Sequence, residues 1–141
     1  MQRVPLRLQG RKPSKLDFEP QTLGQHIMRR RLVLGLTQKQ LGAKLGVTND
    51  TVRNWERGRA QPLVTQMRGI LEFLGHDPSP RPQSLPERLC ALRRALGWSI
   101  RTAAAAVGAD PFTWFGWEHG KPIRSPQHRT AVARLCKKVG L

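Results

Sequence analysis

The sequence contains an internal repeat, and this feature limits the folds that the chain can adopt. When residues 22–62 are aligned without a gap to the residues 62 positions later, ten positions are identical. The identical pairs are Leu23 and Leu85, Arg31 and Arg93, Leu34 and Leu96, Gly35 and Gly97, Ala43 and Ala105, Gly46 and Gly108, Thr51 and Thr113, Trp55 and Trp117, Glu56 and Glu118, and Gly58 and Gly120. Chance does not place this many glycines and a Trp-Glu pair in one register. We interpret the sequence as a tandem duplication of one small unit.

The residue pattern within each copy is helical. Leu23, Ile27 and Leu34 recur at helical spacing and define one apolar face. Thr37 and Thr48 stand directly before two short helical stretches, where a hydroxyl can cap the first backbone N–H groups. No segment alternates as a half-buried strand does. The predicted fold class is all-α, with two compact units of four to five helices each.

Proline and charge divide the chain into four predicted parts. Residues 1–20 combine five cations with three prolines and predict a flexible basic arm. Residues 21–76 form the first predicted domain. Residues 77–83, DPSPRPQ, contain three prolines and predict a short, stiff linker. Residues 84–141 form the second predicted domain.

The charge balance favours a polyanionic partner. Lys and Arg number 25 against 9 Asp and Glu, which gives a formal net charge of +16. No apolar run approaches the ~18 residues of a membrane-spanning helix, and the N-terminal residues lack a secretory pattern. We therefore expect a cytoplasmic, nucleoid-associated protein without a membrane partner.

The sequence shows no pattern of an enzyme or a metal site. The four histidines are scattered, and Cys90 and Cys136 lack ligand spacing. We expect no catalytic residues, metal or cofactor, and we expect both cysteines to be small buried residues.

The segment from Gly35 to Gly58 carries the strongest functional pattern. Gly46 suits a tight turn between two short helices, and Gly42 lets the second helix cross the first closely. The apolar residues that would hold the pair together are Leu41, Leu45, Val47, Val52 and Trp55. The residues left exposed on the second helix are Thr48, Asn49, Asp50, Arg53 and Asn54. Short polar side chains on one helix suit hydrogen bonds to base edges in the major groove of DNA.

Residues 22–75 resemble the Cro and phage-repressor-type helix-turn-helix family, also called the XRE family. The resemblance rests on Arg31, the run Gly35-Leu-Thr-Gln, Leu-Gly-Val at 45–47 and Trp-Glu-Arg-Gly at 55–58. It implies a five-helix fold whose third helix reads the major groove. With the repeat, it predicts two tandem lambda-repressor-like domains, of which the second is degenerate.

The resemblance also implies roles for individual residues. The residues assigned to DNA are Gln38, Thr48, Asn49, Asp50, Arg53, Asn54, Arg57, Arg59, Arg29 and Arg30. Asn49 is the expected reader of an adenine, and Gln38 would contact a phosphate or a base. Thr48 has an alternative role as an N-cap only, and Asp50 either accepts from cytosine or repels wrong sequences. Arg29 and Arg30 either contact phosphates or form a solvated face. Arg31 with Glu56, and Arg93 with Glu118, are assigned to structural salt bridges.

The second copy lacks the polar residues that would read bases. Where the first copy has Asn49, Asp50, Arg53 and Asn54, the second has Pro111, Phe112, Phe115 and Gly116. We predict a protein interface, a homodimer contact or a partner site, formed by Phe112, Trp114 and Phe115. The alternatives are apolar wedging into DNA and packing against the first unit. Trp114 occupies the core position of Val52, so burial is its alternative.

The sequence predicts a sequence-specific regulator of transcription, a repressor that binds double-stranded DNA with the helix at 48–57. One alternative is an antitoxin-like DNA-binding protein whose aromatic C-terminal domain binds a protein partner. A further alternative, a non-specific nucleoid or RNA-binding protein, rests on charge alone.

Overall fold

The computed structural model describes residues 16–141, and this part of the chain is helical. Its eight helices are α1 (Leu23–Val33), α2 (Gln38–Leu45), α3 (Asn49–Glu56), α4 (Val64–Leu74), α5 (Leu85–Leu96), α6 (Ile100–Val107), α7 (Pro111–Glu118) and α8 (Pro126–Lys138). No strand occurs among residues 16–141, and the all-α prediction is confirmed. Residues 1–15 of the predicted basic arm lie outside the described residues.

The structure divides the chain after Arg59 into two compact units. Helix α4 lies in the second unit with α5, and a Cβ added at Gly97, after α5, would meet Arg68 of α4 at 3.0 Å. The predicted linker at 77–83 therefore lies inside the second unit, and the Asp77 carboxylate accepts a hydrogen bond from Arg94 at 3.1 Å. Prolines end a helix, but they do not prevent the flanking helices from packing together. For this reason the division differs from the predicted boundary between residues 76 and 84.

In the first unit, α1, α2 and α3 surround a small apolar core. Ile27, Leu41 and Val52 are fully buried, and Trp55 is nearly so. Helix α2 begins with a capping box, in which the Thr37 hydroxyl accepts from the Gln40 N–H and the Gln40 side chain accepts from the Thr37 N–H. It ends at Gly46, whose φ of +76° is the left-handed conformation that a tight turn requires.

In the second unit, α5 to α8 and the segment before α8 form the larger core. Its buried residues are Leu89, Leu92, Ala103, Ala104, Val107, Trp114, Trp117, Ile123, Val132 and Cys136. Cys136 is buried as predicted, but Cys90 is exposed and the prediction for it is wrong. Leu89 and Leu92 are the buried residues of α5, and Cys90 follows Leu89 on a different side of the helix.

The helices of the two copies begin at corresponding positions. Helices α1 and α5 begin at Leu23 and Leu85, and α2 and α6 begin at Gln38 and Ile100. The starts of α3 and α7, and of α4 and α8, are related by the same shift of 62 residues that relates the sequence identities. This correspondence supports the tandem duplication, which stays a prediction.

Candidate nucleic-acid interface

Glycine contacts hold α3 against α1 and hold the turn before α3 against α2. A Cβ added at Gly24 of α1 would lie 1.9 Å from the Trp55 carbonyl oxygen. A Cβ added at Gly42 of α2 would lie 2.7 Å from the Val47 carbonyl oxygen. Only glycine allows either approach, so two contacts fix the backbone of α3 and of the turn that leads into it. Gly42 was predicted from the sequence to serve this purpose, whereas Gly24 was missed, although a glycine inside a helix is itself a signal of close packing.

The start of α3 is determined by Thr48. Its hydroxyl oxygen accepts a hydrogen bond from the Thr51 N–H at 3.1 Å and lies 2.9 Å from the Thr51 hydroxyl. Thr48 is therefore the N-cap of α3, and its contact with DNA stays a prediction. Asn49 and Asp50 follow in the exposed first turn.

Asp50 and Arg53 form an ion pair along the outer face of α3. Their side chains are 74% and 38% exposed, and Arg53 Nη2 lies 2.8 Å from Asp50 Oδ1. Exposed pairs of this kind contribute only about 0–1 kcal/mol, so the arginine can leave the carboxylate for another partner at small cost. Asn54 lies half-buried on the next turn.

The chain turns sharply after α3 and presents two arginines. Gly58 adopts a φ of +73°, and the Arg59 N–H donates to the Asn54 carbonyl at 2.9 Å. Arg57 and Arg59 flank this glycine and are both exposed. Arg29 and Arg30, on the second half of α1, are exposed as well.

A buried ion pair joins α1 to the end of α3. Arg31 Nε and Nη2 donate to the two carboxylate oxygens of Glu56 at 2.7 and 2.9 Å, and Arg31 Nη1 donates to the Leu36 carbonyl at 2.9 Å. The Gln38 amide donates a further bond to Glu56 Oε1 at 3.0 Å. The assignment of Gln38 to DNA stays a prediction, and in the structure its amide nitrogen bonds to the buried Glu56 carboxylate at the end of α3.

The second unit repeats this pair with a different third donor. Arg93 Nε and Nη2 donate to Glu118 at 2.6 and 2.9 Å. Position 100, which corresponds to Gln38, is an isoleucine, and the third bond comes instead from Trp114 Nε1 at 2.5 Å. Burial alone would raise the pKa of Glu118, but the hydrogen bonds from Arg93 and Trp114 outweigh it and lower the pKa.

The predicted protein interface on α7 stays a prediction, but the structure shows that its three aromatic residues differ in exposure. Phe112 and Phe115 are 76% and 46% exposed, whereas Trp114 is fully buried. Trp114 was grouped with them as an interface residue, but it occupies the core position that Val52 has in α3 and bonds to Glu118. It is therefore removed from the candidate interface.

Two further findings concern residues 16–141. None of their helices combines the length and the apolar character that crossing a membrane requires. Among the same residues, no group of three or more His, Cys, Asp or Glu side chains could hold a metal ion.

Helices α2 and α3, joined by the turn at Gly46 and with the polar face of α3 exposed, form a helix-turn-helix. A family model described as Helix-turn-helix matches residues 27–79, so this part of the chain is similar to that family. The predicted resemblance to the Cro and phage-repressor type is confirmed for this segment. This type of domain binds double-stranded DNA.

Two curated proteins are similar to the chain. An uncharacterised HTH-type transcriptional regulator of Sinorhizobium medicae and another of Rhizobium meliloti are each 30% identical to it over 64 residues. The aligned region is 45% of this chain and 44% of each relative, so the chain spans less than half the length of the relatives it matches. No solved structure matches.

Proposed function

We propose that the protein is a sequence-specific transcriptional regulator, a repressor, which reads the major groove of double-stranded DNA with α3. Since its proposed ligand is chromosomal DNA, the proposal places the protein on the cytoplasmic nucleoid. The observation that carries it is a rigidly held α3 whose exposed face is polar.

In this proposal Asn49, Arg53 and Asn54 contact base edges. Asn49 is exposed in the first turn of α3, and an asparagine amide can pair with N6 and N7 of adenine. Arg53 leaves Asp50 to donate to a guanine, which offers two acceptors in the major groove. The close contacts at Gly24 and Gly42 hold these side chains in a fixed register, which discrimination between bases requires.

The arginines around α3 supply the contacts that do not depend on sequence. Arg57 and Arg59 follow the helix directly, and Arg29 and Arg30 provide further cations on α1. Phosphate contacts by such side chains position a protein on the duplex and make its affinity dependent on salt. Gln38 acts in this proposal through Glu56, by holding the end of α3 in place.

The first test is a selection of bound duplexes from genomic fragments at physiological salt. We expect the wild type to enrich one consensus, and we expect the variant with Asn49, Arg53 and Asn54 changed to alanine to enrich none. Arg68→Ala is the matched control, because it also removes one exposed arginine from an intrahelical ion pair, here with Glu72. A consensus that survives the triple change would contradict base reading by α3.

Repression is tested separately. The selected site is placed between a promoter and a reporter, where a bound protein excludes the polymerase. We expect wild type, but not the triple variant, to lower reporter output. An increase in output with wild type would identify an activator instead.

A further inference from the structure

We propose that the second unit makes its own contact with double-stranded DNA, in which Phe112 and Phe115 of α7 pack against thymine methyl groups in the major groove. This inference rests on the proposed function of the first unit and extends it to the degenerate copy.

The two phenylalanines occupy the positions of the ion pair on α3. Under the shift of 62 residues, Phe112 corresponds to Asp50 and Phe115 to Arg53. Both rings lie three residues apart on the exposed face of α7 and are 76% and 46% exposed. The helix thus presents an apolar surface at the positions where the first copy presents a salt bridge.

A lysine lies beside this apolar surface because the helix has a glycine there. A Cβ added at Gly116 would meet Lys121 Cδ at 3.0 Å, so the absence of a side chain at position 116 lets the lysine stem lie along α7. The Lys121 ammonium lies 5.8 Å from the centroid of the Phe112 ring. Under the same shift, Lys121 corresponds to Arg59, one of the proposed phosphate contacts.

The groove next to Phe112 is basic. Its lining includes Phe112, Lys121 and Arg124. No residue that lines the groove carries a carboxylate. The backbone that precedes α8 is held by Arg129, whose guanidinium donates to the carbonyls of Ile123 and Arg124 at 2.9 and 3.1 Å. The nearby Asp110 carboxylate caps α7 by accepting from the Thr113 N–H and hydroxyl.

The positive charge beside Phe112 favours a polyanion over a second copy of the chain as the binding partner. A second copy of the chain would bring Lys121 and Arg124 close to the same cations of its partner, in a protein whose net charge is +16. Like charges across an interface oppose association. A polyanion with an apolar group at its surface fits both the cations and the exposed rings.

Double-stranded DNA offers one such group in its major groove. Phenylalanine can neither donate nor accept a hydrogen bond, and the only apolar group that a base presents there is the C5 methyl of thymine. The rings would therefore select thymine by contact, while Lys121 and Arg124 contact the adjoining phosphates.

Replacing thymine with uracil tests this directly, because uracil lacks only the methyl group. With wild-type protein and the selected duplex, we expect the replacement of each contacted thymine by uracil to weaken binding about fourfold, since one buried methyl is lost. The full-length variant Phe112→Ala/Phe115→Ala should bind the thymine duplex more weakly and should bind thymine and uracil duplexes equally. Phe112 is 76% exposed, and the Phe115 ring stacks at 3.9 Å on the ring of His119, which is itself exposed, so the thermal midpoint should stay near that of the wild type.

Two other outcomes would overturn the inference. If the double alanine variant binds thymine and uracil duplexes as wild type does, α7 does not contact DNA, and a protein partner, as in the antitoxin-like alternative, becomes the better explanation of the exposed rings. If the variant weakens both duplexes and keeps the wild-type preference for thymine, the rings contact DNA without reading the methyl group.

A second protein variant, which lacks the polar side chains of α3, distinguishes failure of this inference from failure of the proposed function. The variant with Asn49, Arg53 and Asn54 changed to alanine is measured on alternating dA-dT and dA-dU duplexes. A preference for dA-dT that depends on Phe112 and Phe115 supports reading by α7 even if α3 proves to read nothing. Equal binding of the two duplexes in this background counts against α7 alone.

Discussion

At the scale of single residues, the two copies differ in the side chain that donates the third hydrogen bond to the buried glutamate. A buried glutamate must be fully hydrogen-bonded, because an unpaired carboxylate away from water is costly. Glu56 receives its third side chain donor from Gln38, whereas Glu118 receives it from Trp114. The loss of the glutamine at position 100 is thus compensated by an indole at the position of Val52. The arrangement also explains why Trp114 is buried despite its two exposed aromatic neighbours.

Breaking the first of these pairs should destabilise the first unit. We expect Arg31→Met to lower the free energy of unfolding by about 3–5 kcal/mol, because it leaves the Glu56 carboxylate buried without its main partner. The double variant Arg31→Met/Glu56→Leu should recover most of this loss, since no buried charge remains. Urea denaturation followed by circular dichroism measures the free energy of unfolding of both variants. A double variant that is as unstable as the single one would show that the pair contributes through packing rather than charge.

The lowered pKa of Glu118 predicts how the second unit responds to acid. A carboxyl group whose folded pKa lies below its unfolded value stabilises the fold above the unfolded pKa, and this stability is lost as pH falls through the folded pKa. We therefore expect the thermal midpoint to fall as pH decreases below about 4.5, the ordinary glutamate value. The variant Glu118→Gln should be less stable at neutral pH and should lose less stability on acidification. Parallel curves for the two proteins would contradict this role of Glu118.

At the scale of helices, close backbone approach determines where α3 lies. Gly24 brings α1 against the Trp55 carbonyl, and Gly42 brings α2 against the turn at Val47. Contacts with backbone atoms cannot relax as contacts with a flexible side chain can. The position of α3 therefore depends on two glycines that lie outside the proposed DNA-reading face.

Substitution at Gly24 should affect DNA binding although Gly24 is not part of the polar face of α3. In Gly24→Ala the new Cβ meets the Trp55 carbonyl, so α1 and α3 must separate and the register of the α3 side chains changes. We expect a loss of about 1–3 kcal/mol in stability, together with reduced affinity of the folded protein for its selected site. Fluorescence anisotropy at a temperature where the variant is folded measures the second effect.

Gly35→Ala is the control for this prediction. Position 35 has a φ of +71° and open space around it, so alanine costs only the strain of the left-handed conformation, about 1–2 kcal/mol. We expect its folded form to bind DNA as wild type does. Equal effects of both substitutions on affinity would show that stability, rather than the position of α3, limits binding.

At the scale of the whole molecule, the dominant quantity is the net charge of +16. It gives the protein a general attraction to DNA that falls as salt rises, because each phosphate contact releases a condensed cation. Specificity must come from groups that discriminate bases, and the polar face of α3 is the only such group proposed for the first unit. In the proposed function, affinity and specificity therefore have separate sources.

This separation predicts different consequences for two kinds of substitution. Arg59→Ala should weaken binding to all duplexes alike and reduce the slope of log affinity against log salt by about one unit. Asn49→Ala should leave the slope unchanged and cost about 1–3 kcal/mol at one base pair. Titrations of the selected site and a scrambled duplex at several salt concentrations measure both. A uniform loss with both variants would contradict base reading by Asn49.

Features that depend on local patterns could be predicted from the amino-acid sequence. Helical periodicity and capping residues are properties of neighbouring positions, so the all-α class, the N-cap at Thr48 and the turn at Gly46 could be predicted. The repeat and the helix-turn-helix motif likewise indicated which arginine would meet which glutamate.

Features that depend on contacts between residues far apart in sequence became known from the packing of the helices. The bond from Gln38 to Glu56, the burial of Trp114, the exposure of Cys90 and the packing of α4 with α5 are of this kind. Each depends on which side of a helix faces a neighbour and how closely two backbones approach. A pattern of residue types constrains these quantities weakly, because they are set by the packing of helices whose contacting residues are far apart in sequence.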